Sequence, residues 1–414
     1  MFENVLYQNA ADLLIEDIAK DRLPRSILFY GPSSSAKTTA ALELARVLSC
    51  RGTPKGEWNC TCDSCLRHKA LVSQNMLLLG AGNRTLEIAA AKKSLLTQYL
   101  QNSSHLESSR YFYVRAVRKL TARFSPVLWE GEDKLSKFSP LVQSIDEDLE
   151  LLNPGRSFPE EEELRRILDN IEKNCEKLET SFLYESLPVS QIRNFSSWAH
   201  LSAAHGKKVL IIENADRMQE SARNALLKIL EEPPEDVLFI LTTTRRSSIL
   251  PTILSRVRTY SFSNRTKEQQ EEVLTRVFHV TPSYSQSMPE GIDTYLSSFL
   301  PVNLNTVRKC SADFFADISR GHVPDISGIV TTCGSFKPRM IFRIFLEGII
   351  DAQKKLIHSP SGTVCSEGIL KELKEAHNNV MVYNQNPAGA LEMLSRNLMQ
   401  INHVNGGAFR EALR

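Results

Sequence analysis

The segment from Val209 to Leu241 constrains the fold of this chain more than any other part of the sequence. It opens with an apolar run, Val209 to Ile212, that predicts a buried strand, and an acidic turn follows. The string NALLKILEEPP, Asn224 to Pro234, has apolar residues at helical spacing and ends in two prolines that stop a helix. The apolar run Val237 to Leu241 predicts a second strand, which ends in three threonines. Strand, acidic turn, helix and strand are typical of half of a nucleotide-binding α/β domain.

Another strand signal, near the N-terminus, leads directly into a loop of the phosphate-binding type. The apolar run SILFY ends at Tyr30 and is followed by GPSSSAKTT, which is close to the Walker A pattern GxxxxGK[ST]. In such a loop, backbone N–H groups surround the phosphates, the lysine reaches the outer phosphates and the next hydroxyl helps to hold Mg²⁺. Alanine replaces the second glycine, and its β-carbon costs on the order of 1 kcal/mol if that position needs a positive φ. A nucleotide site and a serine-rich turn without phosphate both stay open, and the candidate residues are Gly31, Ser35, Ala36, Lys37, Thr38 and Thr39.

Four of the eight cysteines lie within sixteen positions, directly after the predicted Walker A helix. The string CRGTPKGEWNCTCDSC contains Cys50, Cys60, Cys62 and Cys65, with glycines and a proline that allow the loop to fold back. Four thiolates in one such loop can form a tetrahedral Zn²⁺ site. Because four protein ligands leave no open coordination position, we expect a structural zinc; the alternative is a group of free reduced thiols.

The order of these motifs resembles the AAA+ clamp-loader subunits of bacterial DNA polymerase III, a family that includes the delta-prime and gamma/tau subunits. The likeness is carried by NALLKILEEPP, by Ser255-Arg256 in LPTILSRVRTYSF and by the cysteines after the Walker A helix. The resemblance implies an α/β fold with a RecA-like parallel-sheet domain at 1–262, which contains a zinc module at 50–65. It also implies a small helical lid at 263–322 and an all-α collar at 323–414 that joins subunits.

The resemblance assigns the Walker B position to the end of the strand at Val209 to Glu213. An active member ends this strand in Asp-Glu, where the first acid organises Mg²⁺ and the second activates the attacking water. Here those positions are Glu213 and Asn214, so an acid that can hold the metal through water is kept and the base is lost. This replacement argues against ATP hydrolysis by the chain's own site. The alternative for Asn214 or Asp216 is a simple helix N-cap.

The same resemblance assigns three further residues toward the C-terminus. Thr243 or Thr244 corresponds to the polar sensor-1 residue beside the γ-phosphate, although three threonines at a strand end also fit plain β propensity. Arg256 corresponds to an arginine finger for a neighbouring subunit's site, and such fingers accelerate phosphoryl transfer by about 10³ or more. The alternative is a surface arginine that pairs with a carboxylate. Arg308 is the candidate for sensor 2, without that motif's glycine, serine and aspartate.

About a hundred residues, 84–186, look inserted ahead of the helix predicted at LPVSQIR. Their helical periodicity predicts two or more long helices that project from the core. The string RYFYVRAVRKLTARF, Arg110 to Phe124, interleaves basic and aromatic residues, which suits either single-stranded nucleic acid or an amphipathic helix. The amphipathic helix is favoured, and it would bury Tyr111, Val114, Leu120 and Phe124.

Length and charge set the remaining expectations. A chain of 414 residues has room for two or three domains, and 42% hydrophobic with 24% charged residues is a globular composition. The net charge of +2 gives no general positive field, so any contact with nucleic acid must come from a local patch. The acidic, amphipathic N-terminus is unlike a signal or transit peptide, and no apolar run reaches membrane-spanning length. We therefore expect a cytoplasmic protein with no membrane partner.

Together these features predict a delta-prime-like clamp-loader subunit that completes a neighbour's ATPase site and helps to load the sliding clamp onto primed DNA. Its expected partners are other loader subunits in a hetero-oligomer of five, the sliding clamp, and primed DNA through the assembled complex. A gamma/tau-like ATPase is the second interpretation, because Lys37 and Thr38 are intact; ATP with Mg²⁺ could also be bound without hydrolysis. A nucleic-acid-binding module that uses residues 84–186 is the third.

Overall fold

The computed structural model describes residues 1–201, 206–281, 288–358, 360–381, 383, 385–405 and 409. In chain order its elements are α1 (Asn9–Ala19), β1 (Ser26–Tyr30), α2 (Lys37–Ser49), α3 (Asp63–Lys69), β2 (Met76–Gly80), α4 (Thr85–Leu100), α5 (Leu106–Thr121), α6 (Lys134–Leu151), α7 (Glu161–Ser181), α8 (Val189–His200), β3 (Lys208–Glu213), α9 (Glu220–Glu231), β4 (Val237–Thr243), α10 (Pro251–Leu254), β5 (Arg258–Ser261), α11 (Lys267–Val277), α12 (Ile292–Ser297), α13 (Leu304–Arg320), α14 (Ile326–Thr332), α15 (Met340–Gln353), α16 (Pro360–Met381) and α17 (Pro387–Val404).

The strands form a parallel sheet of five in the order β2-β3-β4-β1-β5. The predicted α/β fold is confirmed. Since all strands run in one direction, their carboxyl ends meet at a single edge, where an open α/β sheet places its ligand. That edge brings together the ends of β1, β3 and β4, which carry the predicted Walker A, Walker B and sensor-1 residues.

Both faces of the sheet are buried, which explains why its strands read as continuous apolar runs. Alternate side chains point to opposite faces. Leu28 and Leu210 belong to the apolar cluster on one face, and Ile27 and Val209 belong to the cluster on the other. The second cluster includes α1 and α2, so the helix that follows the Walker A loop packs directly on the strands that hold the site.

Residues 84–186 contain four helices, α4 to α7. These helices do not simply project from the core, because their buried side chains share one apolar cluster with the sheet residues Leu77 and Leu79. Helix α5 buries Val114 and Leu120, and the short 3-10 turn after it buries Phe124, as the amphipathic interpretation predicts. The fully buried tyrosine of α5 is Tyr113, however, and Tyr111 is only half-buried.

The chain divides into two compact units, residues 1–296 and 297–414. The second unit is helical in its described parts, and its aromatic core includes edge-to-face contacts of Phe345 with Phe314 and Phe336. The range predicted as a lid, 263–322, contains α11 in the first unit and α13 in the second. The domain limits expected at 262 and 322 stay predictions. None of the helices in the described parts of the chain is long and apolar enough to cross a lipid bilayer.

Candidate nucleotide site and metal centre

The loop after β1, which the sequence predicts to bind phosphate, has two non-glycine residues with positive φ, Ser34 and Ala36. Gly31 has φ 152°, and a β-carbon there would lie 2.2 Å from the carbonyl oxygen of Phe262, so only glycine fits this position. Ala36 adopts φ 68° and ψ 22°, in the left-handed region. The position therefore does need a positive φ, and the alanine costs on the order of 1 kcal/mol there.

Lys37 turns back onto its own loop. Its Nζ donates to the carbonyl oxygens of Gly31, at 2.9 Å, and Pro32. It also donates to Ser35 Oγ at 3.1 Å. Burial lowers the pKa of Lys37 to about 8, and nearby carboxylates, of which Asp293 is the foremost, only partly offset this effect. The lysine thus has its donors satisfied by loop oxygens.

A carboxylate from α12 lies at the mouth of the same loop. Asp293 Oδ1 accepts from Ser33 Oγ at 3.1 Å and from Ser34 Oγ at 2.5 Å. These residues and Arg265 line a cavity of about 90 Å³, and Arg265 Nη1 donates to the Ser34 carbonyl at 2.6 Å. Serine hydroxyls that would be free to approach a phosphate are therefore bound to an acidic side chain.

Glu213 ends β3 in a buried position between three donors. Thr38 Oγ1 and Arg84 Nη2 both donate to its Oε1, and Arg123 Nη2 donates to Oε2 at 2.6 Å. The side chain of Glu213 is only 3% exposed. Burial alone would raise the pKa of Glu213, but the two guanidinium groups override it and hold the pKa well below its usual value.

The two arginines, both from the 84–186 segment, are themselves held by further hydrogen bonds. Arg84 Nη1 also donates to Glu87 at 2.7 Å, and Glu87 accepts a further bond from Lys119 Nζ. Burial opposes the charge on Glu87, but Lys119 and Arg84 lower its pKa to about 2. Arg123 Nη1 donates to the Gly82 carbonyl at 2.5 Å. Alternating charges thus form one network that ends at Glu213.

Asn214, which the resemblance assigns to the position of the catalytic base, lies in a turn that suits asparagine. Its φ of 51° and ψ of 52° lie in the left-handed region, which asparagine tolerates better than glutamate. Its Nδ2 donates to the Ala81 carbonyl at 2.6 Å, and its N–H lies 3.4 Å from Thr242 Oγ1. The side chain does not cap the short turn after it, so the N-cap alternative is wrong for this residue.

Thr243 is buried beside the first residue of the loop, whereas Thr244 is exposed. The Gly31 N–H donates to the Thr243 carbonyl at 3.3 Å. Thr243 Oγ1 donates to Asp216 Oδ1 at 2.7 Å, and Arg245 Nη2 donates to Asp216 Oδ2 at 3.0 Å. Asp216 is therefore already paired with Thr243 and Arg245, and the sensor-1 role of Thr243 or Thr244 stays a prediction.

Two further arginines were predicted from the sequence. Arg256 lies away from the residues at the carboxyl edge of the sheet, and Arg308 belongs to the second unit. Arg256 follows α10 and is 32% exposed; its Nη2 donates to Glu231 Oε1 at 2.6 Å and its Nη1 to the Thr252 carbonyl at 2.8 Å. Arg308 lies exposed on α13 in the second unit. Thr39 lies half-buried in the first turn of α2. Their roles stay predictions.

The four cysteines predicted to bind metal do come together. Their Sγ atoms all lie within 4.8 Å of one another, and Cys50 Sγ is 3.7 Å from Cys60 Sγ. Tetrahedral zinc with Zn–S bonds of about 2.3 Å requires sulfur–sulfur distances of about 3.8 Å, which this pair matches. The close spacing of Cys60 and Cys62 therefore does not prevent a four-cysteine cluster that is consistent with structural zinc.

The cluster also has the outer contacts of a metal centre. Cys50 Sγ accepts from the Gly56 N–H at 3.1 Å, and Arg46 Nη1 donates to Cys65 Sγ at 3.2 Å. Arg46 is buried on α2 and forms an ion pair with Glu43 at 2.6 Å. Because outer contacts orient metal ligands, Arg46 connects the four-cysteine cluster to the helix that follows the phosphate-binding loop.

Basic residues of α5 contact the end of α3, beside the cysteine cluster, and do not form a free surface. Arg115 Nη1 donates to the Lys69 carbonyl at 2.7 Å, and Arg118 Nη1 donates to the Ala70 carbonyl at 2.8 Å. These carbonyls end α3, where a positive charge is favourable. The arginines therefore cap the helix that carries Cys65.

The sequence reasoning missed Arg84, Arg123 and Asp293. A usable signal existed for Arg84, because the apolar run MLLLG (β2) is followed by AGNR, a loop at the carboxyl end of a strand. Such loops meet at the ligand edge of a parallel sheet. Arg123 and Asp293 lie 90 and 80 residues from Glu213 along the chain, and no local pattern relates them to it.

Comparison with known proteins accounts for the motif order. A family model described as DNA polymerase III, delta subunit, matches residues 7–128 and 144–266, which together exceed half of the chain. The chain belongs to this family, which comprises the delta-prime and gamma/tau clamp-loader subunits of DNA polymerase III. The matched ranges include most of residues 84–186 and leave 129–143 between them.

Individual relatives match over short stretches. The chain is 28% identical over 132 residues to DNA polymerase III subunit delta-prime of Buchnera aphidicola subsp. Baizongia pistaciae, which covers 32% of this chain and 37% of that protein. It is 46% identical over 56 residues to the delta-prime subunit of Bacillus subtilis, covering 14% and 17%. It is 40% identical over 70 residues to the gamma/tau subunit of Mycobacterium tuberculosis strain H37Rv, covering 17% and 12%. The similarity thus spans less than two fifths of each relative.

Proposed function

We propose that this chain is a delta-prime-type subunit of the DNA polymerase III clamp loader. In this role it assembles with other loader subunits, offers Arg256 to the ATPase site of its neighbour, and so helps to place the sliding clamp on primed DNA. The AAA+ core, lid and collar expected from the sequence belong to this proposal.

The observation that carries the proposal is the turn at Asn214. A motor subunit needs a carboxylate here to activate water. This chain has an amide whose Nδ2 is committed to the Ala81 carbonyl, and the neighbouring Glu213 is neutralised by Arg84 and Arg123. Neither side chain is available as a base, so a role in completing another subunit's site is favoured over hydrolysis in this one.

Arg256 supports the proposal by its position and its bonding. It is partly exposed, and its pairing with Glu231, which is itself half-exposed, is a surface ion pair. Surface pairs contribute only about 0–1 kcal/mol, so the guanidinium can leave Glu231 for a stronger phosphate partner at little cost. Pairing in the isolated chain is therefore compatible with a finger supplied in trans.

The test is ATP hydrolysis by a reconstituted loader that contains the Arg256→Ala chain. We expect DNA-stimulated turnover to fall by about 10³, while size-exclusion chromatography shows an intact complex. Arg165→Ala is the matched control, because Arg165 is also an exposed arginine that pairs with a carboxylate, Glu161, at 2.8 Å. Turnover equal to that of the control variant would refute the proposal.

A gamma/tau-like ATPase is the second candidate, because Lys37 and Thr38 are kept and a gamma/tau relative shares 40% identity over 70 residues. The bonding of Lys37 to the loop oxygens and of Thr38 to Glu213 disfavours it. Likewise, burial of Arg110, Tyr113 and Arg118 argues against the basic string as a face for nucleic acid.

A further inference from the structure

The carboxylate of Glu213, at the end of β3, is paired with the positive charges of two arginine side chains. We propose that Arg84 and Arg123 occupy the place of the divalent metal in this site, so that the site excludes Mg²⁺. This inference deepens the proposed function, on which it rests for the identity of the site, and it assigns a role to the 84–186 segment.

Both carboxylate oxygens of Glu213 already accept hydrogen bonds, so a metal or its water shell would have to compete with these donors. In a metal-loaded site, the hydroxyl after the loop lysine and the acid at the strand end hold Mg²⁺ between them. Here Thr38 Oγ1 donates directly to Glu213, so a single hydrogen bond joins the two side chains where a metal ion would lie between them. Arg84 covers Oε1 and Arg123 covers Oε2.

Charge supports the same conclusion. Two guanidinium groups carry +2, the charge of Mg²⁺, and arginine does not lose its proton in proteins. A metal ion placed near Glu213 would be repelled by both arginines in a buried environment, where charges are screened poorly. Mg²⁺ also needs an octahedral oxygen shell at about 2.0–2.1 Å, which guanidinium nitrogens cannot supply.

The arginines are fixed in this position. Arg84 is tied to Glu87, and Arg123 is tied to the Gly82 carbonyl. The carbonyl of Arg123 in turn accepts from Trp129 Nε1 at 2.8 Å, and Trp129 is fully buried and stacked on Phe124. Arg123 is buried and cannot swing aside without opening the core, whereas the half-buried Arg84 is held by its ion pair with Glu87.

The experiment uses the zinc-loaded full chain and Mn²⁺·ATP, with the enhancement of water-proton relaxation as the signal of metal held on the protein. We expect no enhancement for the unaltered chain. We expect one Mn²⁺ per chain in the Arg84→Gln/Arg123→Gln variant, with affinity higher by on the order of a hundredfold because two like charges are removed. Adding Thr38→Val should abolish that gain.

Two results would overturn the proposal. One is enhancement by the unaltered chain that Thr38→Val removes. The other is a folded double variant, verified by circular dichroism, that gains no metal. If the double variant does not fold, Arg84→Gln alone replaces it, because the Arg84 side chain is 16% exposed and its removal opens less of the core; a gain in metal binding is again required. Failure of the Arg256→Ala experiment would not alter these results, since they concern the chain's own site.

Discussion

Replacing Glu213 by glutamine should destabilise the first unit severely. The change removes the charge that Arg84 and Arg123 share and leaves two buried guanidinium groups facing each other. Breaking a buried ion pair by removing one partner typically costs about 3–5 kcal/mol. We expect the free energy of unfolding to fall by about this amount at pH 7.

The matched control is Glu231→Gln. Glu231 accepts from Arg256 at 2.6 Å, the same distance that joins Glu213 to Arg123, but it is 51% exposed where Glu213 is 3% exposed. Because exposed pairs contribute about 0–1 kcal/mol, the control should change stability little. The comparison therefore isolates burial as the cause.

Urea unfolding followed by tryptophan fluorescence measures this effect in the relevant unit, since Trp58, Trp129 and Trp198 all lie in residues 1–296. The pKa of Glu213 is lowered from an ordinary value of 4.5, so its contribution is complete above that pH and is lost as the pH falls below it. The two proteins should therefore converge in acid. A loss below about 1 kcal/mol at pH 7, or a difference that grows in acid, would refute the charge network.

Three further predictions concern the loop, the turn and the metal. Asn214→Glu should not restore ATP hydrolysis and should lower stability by on the order of 1 kcal/mol, because the left-handed turn disfavours glutamate and the bond to Ala81 is lost; turnover in an ATPase assay would contradict this. Lys37 has a pKa lowered to about 8, so the unfolded chain binds more protons between pH 8 and about 10.5 and stability should rise across that window. Lys37→Met should lose that rise in urea titrations, and an unchanged slope would count against burial of the charge. Cys60→Ser should lower the zinc content below one per chain by atomic absorption and destabilise α2 through Arg46; full zinc content in the variant would contradict a four-cysteine site.

The parts of the fold that follow from local pattern could be predicted from the sequence. SILFY and VLII are apolar runs because both faces of the sheet are covered, and they correspond to β1 and to most of β3. The cysteine spacing predicted the cluster at 50–65, since ligands in one short loop need no long-range information. The replacement at Asn214 was also visible, because the motif fixes its position after a strand.

The long-range contacts around Glu213 could not be predicted from local sequence patterns. Arg123 lies 90 residues before Glu213, and its role depends on how α5 packs on the sheet, which no periodicity specifies. The aromatic and basic string around Arg118 favoured a buried amphipathic helix but also fitted a surface for nucleic acid, because arginine can bury its stem when carbonyls receive its donors. For Ala36, the sequence posed the question of a positive φ, and only the backbone answered it.

The central claim is that this chain completes a neighbour's site and does not hydrolyse ATP in its own. The most direct measurement is Mg·ATP turnover by the purified chain alone, compared with its Lys37→Ala variant in the same assay. We predict no turnover above background in either protein, because Asn214 cannot act as a base and Glu213 is held by two arginines. Turnover by the chain that Lys37→Ala removes would contradict the account and would establish a gamma-like motor.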